Sequence, residues 1–214
     1  MSCCTWANPG SFAPIEQFLP DVQVKAPTVP DEVAANELRA AAIELASRTP
    51  AIQREICQDT QAGVPDYFVD APDGYSLRGV IAVTVEGRKW PLAQHAAYAT
   101  GYSGCAAFYH DEQRRVLLRP APQYDGRGCL CVTAALLPGQ TSCALPVEFY
   151  ERHLDTLASG ALARLLLMKG ASWEDKSSAG IYRAMFVAGI ARASDTALRG
   201  GVVGPLIARP PRFV

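Results

Sequence analysis

The stretch PVEFYERHLDTLASGALARLLLMKG, Pro146 to Gly170, decides the fold. Val147, Tyr150, Leu154, Leu157, Ala161, Leu165 and Met168 recur at spacings of three and four, which stacks them on one face of a helix. Pro146 suits a first turn, where its missing N–H would have no intrahelical partner. Lys169-Gly170 stops the helix, glycine supplying the left-handed cap. A second stripe follows at Ala179, Tyr182, Phe186, Gly189/Ile190, Ala193 and Ala197, opened by a capping pair at Ser172 and Asp175 and closed by Gly200-Gly201. A connection this short makes the two helices antiparallel neighbours. Small residues on the facing stripes (Gly160, Ala161, Gly180, Ala184, Gly189) let their backbones approach closely.

Upstream, Pro30 to Arg48 reads as another helix. Thr28 and Asp31 mark its start and Thr49-Pro50 its end. Its face of Ala34, Leu38, Ala41/Ala42 and Leu45 is narrow and needs a partner, which the C-terminal hairpin supplies. Asp31, Glu32 and Glu37 bias negative charge toward the N-terminus, as the helix dipole favours. From Ala51 to about Pro138 the pattern turns to β: Ile52 to Asp59, Tyr67 to Val69, Ser76 to Val85, Lys89 to Leu92, Ala106 to His110, Arg115 to Arg119 and Cys129 to Leu137. Asp73-Gly74, Glu86-Gly87 and Asp111 to Arg114 are the turns. The expected fold is α+β. A small helical bundle from residues 30–50 and 146–200 carries an inserted antiparallel β-sandwich or barrel-like module, 51–145. Extended termini flank it, a proline-rich arm at 1–29 and a tail at 201–214.

Composition is that of a soluble globular protein, and a net charge of −1 gives no global attraction to nucleic acid. Charge is polarised along the chain: residues 1–60 carry −4 and residues 150–214 carry +4, which suits either head-to-tail stacking on copies or a partner, or simply unequal solvated faces. The start MSCCTWANPG lacks a secretory pattern, and no run of about 18 apolar residues calls for a membrane. Seven cysteines, an odd number, then read as reduced thiols without a disulfide framework. Cys129 and Cys131 share a strand face but have no second ligand pair, so no metal is expected.

Nothing else assembles into a catalytic set. GxSxG, HExxH and phosphate-loop patterns are absent, and His95, His110 and His153 lie far apart. Glu148 and Glu151 read as a solvated helix face, and Trp173 as a wedge closing the hairpin. Arg164, Lys169, Lys176, Arg183, Arg192 and Arg199 lie mostly off the apolar stripe and suit at most weak contact with DNA, without sequence preference. No catalytic residue, cofactor or metal is expected. The apolar tail, with Leu206, Ile207, Phe213 and Val214 for burial, Arg209 and Arg212 for register, and Pro210 and Pro211 for stiffness, is the expected partner-binding segment.

The hairpin also carries a resemblance. Gly160-Ala-Leu-Ala-Arg-Leu-Leu-Leu-Met168, Trp173-Glu-Asp175 and Tyr182-x-x-x-Phe186-x-x-Gly-Ile190-Ala-Arg192 resemble the C-terminal half of head–tail adaptor (connector) proteins of tailed bacteriophages. Pro30-Asp-Glu-Val and Leu38-Arg-Ala-Ala-Ala-Ile-Glu-Leu, running to Arg48-Thr, resemble their first helix, and the β segment follows in the same order. The resemblance is architectural over residues 28–200. It implies a structural virion protein without catalysis, in a dodecameric ring at the neck, assembled in the host cytoplasm. It also implies a portal protein above, a tail or nozzle protein below, DNA passing non-specifically through the channel, and no membrane. The tail after Gly201 is then expected to dock on the portal. The proline-rich arm departs from the family layout. The competing reading is a small phage or bacterial enzyme or ligand-binding module using the β domain.

Overall fold

The computed structural model describes residues 12–93, 106–110, 114–140 and 142–198. The bundle is α2 (Asp31–Arg48), α3 (Val147–Leu165) and α4 (Lys176–Leu198), preceded by a short α1 (Leu19–Gln23). Leu38, Leu45, Leu157, Leu165 and Phe186 are fully buried in one cluster, with Leu154 at its edge. The bundle therefore joins the two ends of the chain. Pro146 sits one position ahead of the expected first turn, as the N-cap of α3, with extended backbone. Gly170 takes φ +78°, the left-handed stop read from the sequence. The cap of α4 is Asp175 rather than Ser172. Its Oδ1 accepts from the amides of Ser177 and Ser178 at 3.0 and 3.1 Å, while the Ser172 hydroxyl donates to Thr28 Oγ1.

Among the described residues, ten strands complete the α+β fold. β2 (Gln53–Thr60), β4 (Tyr75–Val85), β5 (Arg88–Trp90) and β9 (Gly126–Pro138) form one sheet in the order β2-β9-β4-β5. β3 (Asp66–Phe68), β6 (Leu92–Ala93), β7 (Ala106–His110) and β8 (Arg115–Arg119) form a second, ordered β3-β8-β7-β6. The two sheets share a core of Tyr67, Val69, Val83, Val85, Val116, Leu118, Leu130 and Val132, and neither closes into a barrel. The module is not wholly antiparallel, because β6 pairs parallel with β7. Glu86 and Gly87, at φ +50° and +76°, make the two-residue turn between β4 and β5; positive φ at both positions matches the right-handed twist of the strands.

β9 ties the module to the bundle. Its even-numbered side chains point one way: Leu130 and Val132 enter the sheet core, Ala134 and Leu136 the helical core. Arg78 donates from Nε to the Ser47 carbonyl in the last turn of α2, where a cation suits the helix dipole. Arg39 reaches the Ser142 carbonyl at 2.9 Å.

From residue 12 onward the N-terminal segment corrects the expectation of an extended arm. Residues 12–14 form β1 and pair with β10 (Ala144–Pro146), a strand the sequence pattern did not show. A 3-10 turn at Ile15–Phe18 and then α1 follow. Ala13, Ile15, Phe18, Leu19, Val22, Ala26 and Val29 are buried in the chain's own core, and Tyr150 stands edge-on to Phe18. The prolines do not keep the segment extended; Pro20 occupies a first helical turn, where it is tolerated.

Candidate functional site

The expected partner-binding residues Leu206, Ile207, Arg209, Pro210, Pro211, Arg212, Phe213 and Val214 lie outside the described residues, as do His95 and Arg199. Three features of the described surface bear on function: the outer face of α4, a cleft beside α3, and the charged residues of the hairpin.

α4 is apolar on two sides. One side, Ala179, Phe186, Gly189, Ile190 and Ala193, is buried against the bundle. The other holds Ile181, Ala184, Met185, Ala188 and Ala191, again spaced by three and four, and faces solvent. Ile181 is 61% exposed and Met185 49%, with Val187 at 44% flanking them. A contiguous apolar stripe left in water has the character of a buried surface lacking its cover. Gly180 and Ala184 belong to this outer side, contrary to their expected place between the helices, and a Cβ on Gly180 would meet nothing. Gly160 and Gly189 do hold the close approach: a Cβ on Gly160 would lie 2.8 Å from the Phe186 ring, and one on Gly189 would overlap Thr156.

The cleft, about 640 Å³, lies between α3, α4 and the start of β2, lined by Arg54, Glu148, Arg152, His153, Thr156 and Arg192 among others. Glu148, expected on a solvated face, instead pairs with Arg54 at 2.7 Å. Burial disfavours its charge, yet the Arg54 hydrogen bond and charge outweigh burial and hold the carboxyl below its ordinary value. Tyr75 lies beside the pair; burial pushes its hydroxyl up to about 12. Its hydroxyl faces the Arg54 guanidinium, and Glu148 Oε2 is buried without a hydrogen-bond partner among the described residues. Burial, and secondarily Arg152, hold His153 below its ordinary value, and its ring stands edge-on to Phe149. The Thr196 hydroxyl is committed to the Arg192 carbonyl at 2.9 Å. This is the chemistry of a half-buried ion pair bracing β2 against α3.

Two of the arginines considered for DNA are spent inside the molecule. Glu44 of α2 receives Arg164 at 2.7 Å and Arg183 at 3.1 Å. Burial disfavours the Glu44 charge, but the hydrogen bonds and charges of Arg183 and Arg164 leave the carboxyl below its ordinary value. A folded-state value below the unfolded one, about 4.3, gives stabilisation that is complete above that value and lost as pH falls through the folded-state value. Glu44→Gln is therefore expected to cost roughly 1 kcal/mol at neutral pH, modest because both guanidinia remain largely exposed and screened. Urea melts across pH check this: the variant and the parent should differ at pH 7 and converge in acid.

The cysteines overturn the expectation that all seven are reduced. Cys57 and Cys131 are joined by a disulfide linking β2 to β9, while Cys129 is a free thiol. The spacing of Cys129 and Cys131 drew attention to the wrong pair. The partner of Cys131 comes from another strand, through a register no local pattern reveals.

The class these features define is an α+β protein with a two-faced C-terminal helix. No family model matches the sequence, and no curated protein matches it closely enough to be counted a relative.

Proposed function

We propose that this chain is a non-catalytic, self-assembling structural subunit of a virion, a head–tail adaptor whose ring joins the portal to the tail and continues the DNA channel. The observation that carries the reading is the second apolar face of α4, Ile181, Ala184, Met185, Ala188 and Ala191, left in water by the isolated chain. A second copy suits it as cover. Its alanines permit close helix packing, and a ring repeats the same contact at every subunit. The opposed charge of the two ends of the chain favours a head-to-tail arrangement. The order of helix, β module and helix hairpin, which prompted the resemblance to phage adaptors, supports the particular role. The cleft adds nothing to a reading based on a ligand in the β module, because it lies against the helices and is crossed by an ion pair.

Light-scattering mass, measured with and without the portal ring of the encoding phage, tests the reading. The expected particle on the portal contains close to twelve chains of 22.9 kDa. The double variant Ile181→Glu, Met185→Glu should stay folded, since both positions are exposed, and should lose assembly. A chain that remains monomeric with the portal present, or a double variant that assembles unchanged, would overturn the proposal.

A further inference from the structure

The disulfide stands on the solvent-facing side of the sheet, away from α4. Leu136 donates its amide to the Ile52 carbonyl, which makes that opposed pair a hydrogen-bonded one. Pairs alternate along an antiparallel ladder, so Ile56↔Val132 and Gln58↔Leu130 are hydrogen-bonded, and Cys57↔Cys131 between them is not. Non-hydrogen-bonded pairs approach most closely; here the Cα atoms are 4.1 Å apart. The side chains at these odd positions point away from both hydrophobic cores. Cys57 is exposed and Cys131 half-buried.

Glu55 lies two residues before Cys57 on the same face of β2. One of its carboxylate oxygens and the two sulfurs all lie within 4.8 Å of one another. Two sulfurs and a carboxylate suit a borderline-soft ion; magnesium and calcium favour oxygen donors throughout. Tetrahedral zinc with bonds of about 2.3 Å to sulfur separates its two sulfurs by about 3.8 Å. Side-chain rotation reaches that separation once the bridge opens, because the hydrogen-bonded pairs on either side keep the two backbones in place.

We propose that Cys57, Cys131 and Glu55 form a redox-gated site for zinc or a zinc-like divalent cation. A small-molecule disulfide closes the site by two successive thiol–disulfide exchanges, which form the Cys57–Cys131 bridge and release two thiols, and reduction opens it. A phosphine reductant attacks one sulfur and expels the other as a thiolate. Hydrolysis of the phosphorus–sulfur bond then releases the second thiol and the phosphine oxide. Phosphorus loses two electrons and the disulfide gains them. Zinc binds both sulfurs as thiolates, and the protons go to solvent. Glu55 supplies the third ligand and water the fourth. Cys129, two residues along the strand with its thiol turned to the Arg127 carbonyl at 3.6 Å, is not required.

The test uses the full chain, reduced with a phosphine, desalted without oxygen and titrated with zinc chloride, then with cobalt(II) as a spectroscopic substitute. Reduced protein is expected to bind one zinc that the oxidised protein does not, with cobalt giving a thiolate charge-transfer band. Cys57→Ser and Cys131→Ser should each lose that ion, and Cys129→Ser should keep it. Glu55→Gln, an exposed change that leaves the core untouched, should weaken binding roughly tenfold or more, since even outer-shell partners of a metal are worth that much. The proposal is overturned if Cys57→Ser binds zinc as tightly as the parent, if reduction adds no site, or if Glu55→Gln leaves affinity unchanged.

Discussion

Leu157→Asp is expected to yield no folded protein. Leu157 is fully buried at the centre of the bundle, in the cluster that holds Leu38 and Leu45 of α2 and Phe186 of α4. Truncation to alanine alone would cost about 2–5 kcal/mol through lost burial and the cavity left behind. An aspartate adds an unpaired charge in an apolar surround, and burying even an uncharged polar group without a partner costs roughly 1–3 kcal/mol. The sum rivals the whole stability of an ordinary domain, about 5–15 kcal/mol. Far-UV circular dichroism of any soluble material, with a thermal melt, reads the outcome. A cooperative melt near the parent's would mean that α2 and the hairpin do not share a core.

The second large effect separates two glycines of the same hairpin. Helix propensity alone favours alanine over glycine by roughly 1 kcal/mol at both Gly160 and Gly180. At Gly180 an added Cβ meets nothing, so Gly180→Ala is expected to stabilise by about 0.5–1 kcal/mol. At Gly160 the added atom would lie 2.8 Å from the Phe186 ring and 2.9 Å from the Ala41 Cβ. Phe186 and Ala41 are themselves fully buried and have nowhere to move. Gly160→Val forces more atoms into that contact and should cost about 1–3 kcal/mol or more. Chemical denaturation of the two variants should therefore shift in opposite directions. A stabilised Gly160→Val would show that the three helices meet less closely than described.

These contrasts mark where local sequence stops being informative. The apolar stripes of α2, α3 and α4 were legible because each residue's place on a helix face depends only on its neighbours three and four positions away. Gly170 and Glu86-Gly87 were legible for a related reason: a stop or a tight turn is specified by residues that tolerate positive φ. Even the small residues facing Phe186 could be noticed, though the same reasoning wrongly set Gly180 beside them. Its stripe assignment depended on where the buried side of α4 is centred, and the partners of that helix decide this.

The candidate surfaces were less legible. The spacing of Ile181, Met185, Ala188 and Ala191 is present in the sequence, but only packing showed that α3 covers the opposite side. Asp175, with its side chain bound to two amides, displaced Ser172 as the cap because the chain between them makes a further turn before the helix begins.

What the sequence by itself determined is therefore the three long helices, most of the strands and the α+β class, all fixed by short-range periodicity and turn chemistry. What only the tertiary structure decided is every long-range pairing. Residues 12–29 found their partners in the chain's own core. Glu44 gathered Arg164 and Arg183, Glu148 met Arg54, and Cys57 came opposite Cys131. The physical reason is that strand register and helix docking are set by the summed burial of whole faces. A shift of one residue would have turned Cys57 and Glu55 inward, and nothing within either strand records which alignment the other strand imposes.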